Sequence, residues 1–421
     1  MKDFLLQIIY KILATYARRV IKRHNPFVVA ITGSVGKTST KEAIYTVLSE
    51  SFGREVRKNE GNLNAEIGLP LTILGYKALP NKFMWPIFLI LAGFRSKVKK
   101  YPKYLVLEMG VEKPGDIKYL TGIVKPDIAV ITSVSGAHLA NFENKKKYED
   151  EKIAILNFLK PNGVGIINQD DQVLCHFQSE NIKTISIEDN SADYWADSIR
   201  TSSSGTEFRI NCTGHKISIE SKLLGRQLVY PQIIAFAVAD ILNISLLLVG
   251  KSLKKLRPIP GRMNLIEGEN QTTIIDDTYN SNPSSLKAAL VLLGEIQHRG
   301  RKVAIIGNMN ELGAEEKSSH QEIGHYAREK CDLAVFVGPN AKLMARSCGT
   351  KDCLSIENRK ELFLLLSSLI HKNDLILVKA SQNGNFFEEV VKKLMKNPTE
   401  ARKLLVRQSK FWLNKKRKLS Y

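Results

Sequence analysis

The segment TGSVGKTS, from Thr32 to Ser39, has the residue types and spacing of a phosphate-binding loop. It follows FVVAIT, an apolar run typical of a buried strand, and leads into a sequence with helical periodicity. In that context Lys37 can reach the β- and γ-phosphates of a nucleotide, and the Thr38 hydroxyl can bind Mg²⁺. The generic pattern has Gly or Ala where Ile31 stands, but strand, loop and helix together predict nucleotide binding. The residues expected to contact phosphate, largely through backbone amides, are Gly33, Ser34, Val35, Gly36, Lys37, Thr38 and Ser39.

Two further side chains fall at the ends of predicted strands near this loop. Glu108 ends the run YLVLE, and His138 follows the run PDIAVITS. A carboxylate and an imidazole at adjacent strand ends suit a divalent cation. Taken alone, His138 is more typical of a loop histidine bonded to its neighbours, and Lys152, on the next predicted helix, is more typical of a solvated charge.

Apolar runs that alternate with helical patterns predict the elements that position these residues. Alternation of this kind is typical of βαβ units and a mostly parallel sheet, so the fold class is α/β. A short polar segment, 183–220, predicts a small antiparallel flank, and one helix is predicted at about 231–249. The predicted strands are 27–32, 104–110, 126–133 and 163–169, and the predicted helices between them include 114–123 and 145–159.

A second α/β series begins after Pro258, Pro260 and Gly261. It predicts a smaller, Rossmann-like domain with its own sheet and a basic helical tail. We therefore expect a P-loop domain over 26–257 and a second domain over 258–421, preceded by an amphipathic helix over 1–25. This helix can lie on an anionic membrane or pack on the body of the protein, and its pattern leaves both open.

The composition narrows the class of protein. The chain has 421 residues, with 62 Lys and Arg against 42 Asp and Glu, a net charge of +20. This excess favours nucleic acid, an anionic membrane or phosphorylated ligands as partners. The longest apolar run, 83–94, is shorter than the ~20 residues that span a bilayer. Five sparse cysteines without a CxxC motif indicate reduced thiols. We expect a cytoplasmic monomer with peripheral contact at the inner membrane face.

Several motifs in order resemble those of the Mur ligases, ATP-dependent enzymes that join amino acids or short peptides to the growing stem peptide of peptidoglycan. The resemblance runs from about Pro26 to Val391, and the later motifs are most similar to the branch that adds D-alanyl-D-alanine. The matching segments are NLNAEIGLPLTIL (62–74), LEMGVEKPGDIKYL (107–120), KPDIAVITSVSGAHLANF (125–142), PIPGRMN (258–264), IIDDTYNSNPSSLKAAL (274–290) and IGNMNELG (306–313).

The resemblance implies roles for individual residues. Thr38 and Glu108 would hold one Mg²⁺, while His138 and a carbamylated Lys152 would hold a second. Lys379 and Ser381 would lie near the incoming substrate. The C-terminal-domain residues implied in binding ATP are Arg262, Asp277, Tyr279, Asn280 and Asn282.

The resemblance also implies the reaction. ATP would phosphorylate the terminal carboxylate of a muramyl-peptide acceptor, and the amine of an amino acid or dipeptide would attack the acyl phosphate. Alternatives are a Mur-type ligase with a different amino acid and a lipid-linked acceptor, or a basic P-loop ATPase that binds nucleic acid. No recognisable nucleic-acid-binding module supports the latter, and a non-catalytic membrane scaffold does not explain the site residues.

Four departures from the family pattern bear on specificity. The UDP-sugar-binding domain usually precedes the P-loop domain. In this sequence only residues 1–25 stand in its place. GRQLVYP, with Gln227, replaces a segment that usually contacts adenine. Asn308 replaces an Asp, and Gln382 replaces an Arg that would offer a bidentate carboxylate clamp.

Overall fold

The computed structural model describes residues 2–61, 63–80, 84–134, 141–382 and 384–419, with side chains from residue 6 to residue 418 within those ranges. The chain divides into two compact units, and the main boundary falls between Leu256 and Arg257. Unit 1 contains Met1–Ile199, Glu207–Glu220 and Gln227–Leu256, and unit 2 contains Arg200–Thr206, Ser221–Arg226 and Arg257–Tyr421.

Within the described ranges, the larger sheet has nine strands in the order β2-β3-β1-β4-β5-β6-β7-β8-β9. From β2 to β7 every neighbouring pair is parallel. The strands are β1 Phe27–Thr32, β2 Val56–Lys58, β3 Tyr104–Glu108, β4 Ile128–Ile131, β5 Val164–Asn168, β6 Ile182–Ser186, β7 Tyr194–Ser202, β8 Gly205–Cys212 and β9 His215–Ser221. The helices that precede or follow them are α1 Lys2–His24, α2 Lys37–Phe52, α3 Gly68–Ile73, α4 Trp85–Arg95, α5 Asp116–Thr121, α6 Lys145–Ile153, α7 Tyr230–Ile241 and α8 Leu246–Lys254.

The smaller sheet belongs to unit 2 and has the order β10-β11-β15-β12-β13-β14 in the part of the chain that is described. Only its β10–β11 pair is antiparallel. Its strands are β10 Asn264–Glu267, β11 Thr273–Asp277, β12 Lys302–Gly307, β13 Leu333–Val337, β14 Cys353–Ile356 and β15 Leu375–Lys379. Its helices are α9 Pro283–Glu295, α10 Glu316–Lys330, α11 Ala341–Cys348, α12 Arg359–Leu369, α13 Glu388–Leu394, α14 Ala401–Leu404 and α15 Lys410–Leu419.

The predicted fold class is confirmed, because strands and helices alternate around mostly parallel sheets. Two details of the prediction are wrong. The helix expected at 231–249 is two helices, α7 and α8, separated where Asn243 adopts a left-handed φ of 54°. The flank over 183–220 is not purely antiparallel, since β6 pairs with β7 in parallel.

Helix α1 packs on the body of unit 1. Leu13, Ala14, Ala17 and Val20 are buried in the same core as β1 and β3, and the helix contacts α3 and α4. The apolar stripe seen in the sequence is therefore covered by protein, so the packing alternative is correct for residues 6–24. No described helix is long and apolar enough to cross a membrane.

Two of the cysteines lie next to each other. The sulfur of Cys348, at the end of α11, is adjacent to that of Cys353 in β14. The other three cysteines, Cys175, Cys212 and Cys331, are free thiols.

Candidate functional site: a phosphate-binding loop and two buried lysines

The loop between β1 and α2 depends on two glycines. Gly33 has a φ of 139°, and a Cβ there would lie 2.1 Å from the Thr132 hydroxyl oxygen. Gly36 has a φ of 89° at the N-terminal cap of α2. Both positions exclude an ordinary L side chain. The turn therefore brings the loop amides and the helix N-terminus together, which is an arrangement suited to an anion.

The segment after β4 holds this loop in place. Ser133 accepts hydrogen bonds from the Ser34 amide (2.8 Å) and, through its hydroxyl, from the Val35 amide (3.2 Å). The Thr132 hydroxyl donates to the carbonyl of Val35 at 2.6 Å. Lys37 donates to the carbonyl of Gly33 at 2.6 Å. The loop conformation is thus fixed by contacts of the protein itself.

Glu108 lies at the carboxyl end of β3, as the sequence predicted, and its side chain is buried. Its Oε2 accepts from the Thr38 hydroxyl at 3.1 Å, and its Oε1 accepts from the Asn64 amide at 2.9 Å. Lys41, on α2, pairs with Oε2 at 3.4 Å and is itself buried. Asn59 bonds both the N–H and the carbonyl of Glu108. The carboxylate is therefore held next to Thr38 from several sides.

Thr38 and Glu108 fit a magnesium ion by their chemistry. A hydroxyl and a carboxylate oxygen, held together beside a phosphate-binding loop, are oxygen ligands of the kind Mg²⁺ prefers, and this ion takes few protein ligands when it also binds phosphates. Among the described residues, no group of three or more His, Cys, Asp or Glu side chains is placed to hold a metal. His138, the predicted ligand of a second ion, lies outside the described residues.

Lys152 reaches the same loop from α6. Its Nζ donates to the carbonyl of Gly33 at 3.2 Å and lies 4.5 Å from the ring centre of Tyr148, whose hydroxyl is 3.0 Å from the Ser34 hydroxyl. The side chain is buried. Burial, and then the charge of Lys37, hold the pKa of Lys152 well below its usual 10.5, although Glu151 and Asp116 act in the opposite direction. Both effects shift Lys152 toward the neutral amine relative to an exposed lysine.

A simple surface pair between Lys152 and Glu149 is excluded by the structure. Glu149 lies 3.9 Å from Lys145 instead, and Glu151 accepts hydrogen bonds from the backbone amides of Gly115 and Ile117. Lys152 therefore has no carboxylate partner within ion-pair distance among the residues described.

The predicted unit 2 residues gather at the carboxyl ends of β11 and β15. Asp277 is bonded to Lys379, which also donates to the Asn280 carbonyl at 2.9 Å. The Asn280 side chain accepts from the Gln382 amide at 3.2 Å. The Asn282 side chain caps α9 by accepting from the Ser285 amide at 2.9 Å. Asn282 therefore has a structural contact that the sequence analysis did not assign.

Two arginines lie near the ring of Tyr279. The Arg262 guanidinium is 4.1 Å from the centre of the Tyr279 ring, and the Arg407 guanidinium is 5.7 Å away. Arg407 also donates to the carbonyls of Thr278 (3.3 Å) and Tyr279 (2.5 Å). The loop that follows β11 is thus fixed by a residue from the basic C-terminal segment.

Three of the departures noted in the sequence are replacements of single side chains: Gln227, Asn308 and Gln382. The amide nitrogen of Gln227 is buried and has no hydrogen-bond partner among the described residues. Asn308 accepts from Asn340 at 2.7 Å and donates to Asn310 at 3.1 Å, so a neutral amide network occupies this position. Gln382 contacts Asn280 and Asn310 through its backbone.

Sequence reasoning missed four residues of the unit 1 site: Lys41, Asn59, Asn64 and Tyr148. Lys41 lies one helical turn after Lys37, on the face of α2 that points toward Glu108, and this spacing is readable. Tyr148 and Lys152 are likewise four residues apart on one helix. Asn59 and Asn64 lie in an irregular segment without periodicity, where residue type alone gives no location.

Comparison with known proteins identifies the family. The profile of the Mur ligase middle domain matches residues 31–239, and that of the Mur ligase glutamate ligase domain matches residues 261–382. The chain is 31% identical to the UDP-N-acetylmuramoyl-tripeptide–D-alanyl-D-alanine ligase of Bacillus subtilis over 92% of this chain and 79% of that protein. It is 28% identical to the protein of the same name from Escherichia coli, over 92% of this chain and 80% of that protein.

Solved structures agree with this comparison. MurF from Acinetobacter baumannii superposes with a TM-score of 0.78 at 25% identity, covering 91% of this chain and 80% of that one. MurF from Thermotoga maritima, solved in complex with ADP, superposes with a TM-score of 0.77 at 26% identity, covering 94% and 84%.

The loop after β11 gives a prediction about pH. Burial raises the pKa of the Asp276 carboxyl from 3.8 to about 7, against hydrogen bonds from Thr278 and the Gly261 amide that lower it. Between about pH 4 and pH 7 the folded chain therefore holds a proton that the unfolded chain has lost, so stability falls as pH rises through this window. From about pH 5 to about pH 8, we expect the free energy of unfolding to drop by about 2 kcal/mol.

Urea unfolding of a Trp85→Phe/Trp195→Phe chain, in which Trp412 reports on unit 2, measures this drop. Asp276→Asn should have a lower free energy of unfolding at every pH, because an amide nitrogen would face the Gly261 amide or Thr278. Its free energy of unfolding should nevertheless not fall further between about pH 5 and about pH 8. Parallel pH profiles for the two chains would show that Asp276 is ionised in the folded protein.

Proposed function

This chain belongs to the Mur ligase family, and we propose that it joins D-alanyl-D-alanine to the peptide carboxylate of UDP-N-acetylmuramoyl-tripeptide at the expense of ATP. The relatives from Bacillus subtilis and Escherichia coli bear this activity in their names. The observation that carries the proposal is the convergence of Lys37 and Lys152 on the Gly33 carbonyl, at 2.6 and 3.2 Å, beside the bonded Thr38–Glu108 pair.

The proposed reaction has two steps. The acceptor carboxylate attacks the γ-phosphorus of ATP, which releases ADP and leaves an acyl phosphate. The neutral amine of the dipeptide then attacks the acyl carbon, inorganic phosphate leaves with the bonding electrons, and the nitrogen loses a proton as the amide forms. Lys37, after exchanging its bond to Gly33 for phosphate oxygens, stabilises the negative charge of the transferred phosphoryl group.

Metal binding completes the phosphate site in this proposal. Mg²⁺, when bound, neutralises phosphate charge, and Thr38 and Glu108 are the oxygen ligands available for it. His138 and Lys152 are proposed as ligands of a second Mg²⁺ ion. The unit 2 residues Arg262, Asp277, Tyr279, Asn280 and Asn282 are proposed to act in binding ATP, with Asn282 acting through the N-terminus of α9 that it caps.

Lys152 is proposed to act as a carbamate. Its neutral amine would attack the carbon of CO₂ and release one proton to water, which converts the neutral amine into an anionic carbamate with two oxygen ligands suited to Mg²⁺. The lowered pKa of Lys152 supports this step, because only the neutral amine is nucleophilic. The positive charge of Lys37 disfavours the ammonium form of Lys152 and favours the anionic product.

A substrate screen tests the function directly. We expect ADP, phosphate and a new amide product from ATP, Mg²⁺, UDP-N-acetylmuramoyl-tripeptide and D-alanyl-D-alanine, as detected by mass spectrometry. Single amino acids in place of the dipeptide should give no product. Ligation of a different amine, or ligation only to a lipid-linked acceptor, would replace the proposed specificity. ATP hydrolysis stimulated by oligonucleotides would contradict the ligase assignment.

Lys37→Ala should abolish turnover without unfolding the chain. The side chain donates to the carbonyls of Gly33 and Ser34 in the loop, so its loss removes stabilisation of the phosphoryl group rather than core packing. We expect kcat to fall about a thousandfold or more, while the thermal midpoint changes by less than about 4 °C. Joint loss of activity and of the folded state would mean that this lysine has a structural role.

Lys152→Ala should lower kcat about a hundredfold or more, and short carboxylic acids added to the assay should partly restore it by occupying the vacated position. Lys145→Ala is the matched control, because Lys145 is an exposed lysine of the same helix and its loss should leave kcat unchanged. A carbamate also predicts that carbon-13-labelled bicarbonate gives a lysine carbamate signal in the wild-type spectrum. Near-normal kcat for Lys152→Ala, or no difference in that signal between the wild type and the variant, would contradict this role.

A further inference from the structure

Helix α4 is apolar on two sides, and the described residues of the protein cover only one of them. Phe88 and Ala92 face the core of unit 1 and are buried, and the Phe88 ring packs 4.4 Å from that of Tyr76. The other side carries Ile87, Ile90, Leu91 and Phe94, whose spacing places them on one helix face. Ile90 and Phe94 are 63% and 68% exposed.

Exposed apolar residues are concentrated at this place. Eleven large hydrophobic side chains are exposed in the described part of the chain, and six of them fall between Leu79 and Phe94. Scattered single residues of this kind are normal on a soluble protein, whereas a contiguous cluster marks a contact surface. We call the exposed apolar side of the helix the α4 face; its members are Ile87, Ile90, Leu91 and Phe94.

Basic residues are concentrated in the sequence around the α4 face. Residues 77–103 of the sequence contain seven Lys and Arg and no Asp or Glu. Lys97, Lys99 and Lys100 follow the helix directly and are exposed. The end of α1 adds to them, because the His24 ring stacks on Tyr101 at 5.1 Å and contacts the Val98 carbonyl at 3.0 Å.

We propose that the α4 face docks on an anionic lipid surface, with its apolar side chains among the acyl chains and its lysines at the headgroups. The apolar area alone fits either another protein surface or a membrane. The positive charge near it favours an anionic membrane. A second copy of the chain would bring two such basic surfaces together and would be repelled, whereas anionic headgroups attract them.

The dimensions require the helix to lie on the membrane. Eleven residues of α4 make a rod of about 16 Å at ~1.5 Å per residue, about half of the ~30 Å hydrocarbon layer. An interfacial helix with one face toward lipid and the other on its own domain fits this length. The apolar stripe of helix α1 is covered by protein, so this helix contributes positive charge to membrane binding and does not insert into the lipid. The proposal does not depend on the ligase reaction.

Vesicle flotation of the full chain tests the proposal, with phosphatidylcholine vesicles that contain or lack phosphatidylglycerol. The test variant is Ile90→Glu/Phe94→Glu. The matched control is Leu247→Glu/Leu364→Glu, which makes the same change of charge at side chains that are 68% and 82% exposed elsewhere. All four substitutions are on the surface, and circular dichroism and the thermal midpoint verify that each variant is folded.

We expect the wild type and the control to float with anionic vesicles and to remain in solution with phosphatidylcholine alone. The test variant should bind anionic vesicles at least about tenfold more weakly than the control. Lys97→Gln/Lys99→Gln/Lys100→Gln should weaken binding and reduce its dependence on salt. Equal binding by the two glutamate variants, or no flotation of the wild type, would overturn the proposal. So would sedimentation of the wild type as a dimer that Ile90→Glu/Phe94→Glu dissociates.

Discussion

The parallel arrangement of β3, β1 and β4 is the constraint on which the unit 1 site depends. Because these strands run in one direction, their carboxyl ends open on the same edge of the sheet. The loop after β1, Glu108 at the end of β3 and Thr132 after β4 therefore meet although they are far apart in sequence. Register matters as much as direction: Glu108 pairs with Ile31, and a slip of one residue would turn its carboxylate to the other face.

Once the strands bring these groups together, buried polar contacts decide how firmly they are held. Glu108 and Lys41 are both shielded from water and lie 3.4 Å apart, so each charge offsets part of the cost of burying the other. In unit 2 the buried Glu388 pairs with two cations of the basic tail, Arg407 at 2.9 Å and Lys416 at 2.8 Å. It therefore holds the tail on this unit. Part of the net positive charge is therefore structural, which explains why a basic tail is not by itself a sign of nucleic acid binding.

The parts of this structure that the sequence predicts are those with a repeating pattern. The apolar strand before TGSVGKTS and the helix after it locate the loop, and the end of YLVLE locates Glu108. A hydrophobic pattern does not show what covers an apolar face. Residues 1–24 have an apolar stripe in the sequence, and only the fold reveals that α3 and α4 pack against it. The break between α7 and α8 depends on the left-handed φ of Asn243. The asparagines around Glu108 depend on an irregular segment whose path only tertiary contacts fix.

Lys152 shows how a residue with an ordinary sequence context acquires an unusual chemistry. Its helix, KKKYEDEKI, is almost entirely charged, so composition indicates an exposed surface. Tyr148 is four residues earlier and is fully buried, and this places Lys152 on the inward face. The carboxylates on the helix are engaged elsewhere: Glu149 lies near Lys145, and Glu151 bonds backbone amides at the start of α5. A buried ammonium without a carboxylate partner is costly, and it would also face the charge of Lys37. The fold therefore favours a form of this side chain without positive charge, which is the chemical condition for its reaction with CO₂.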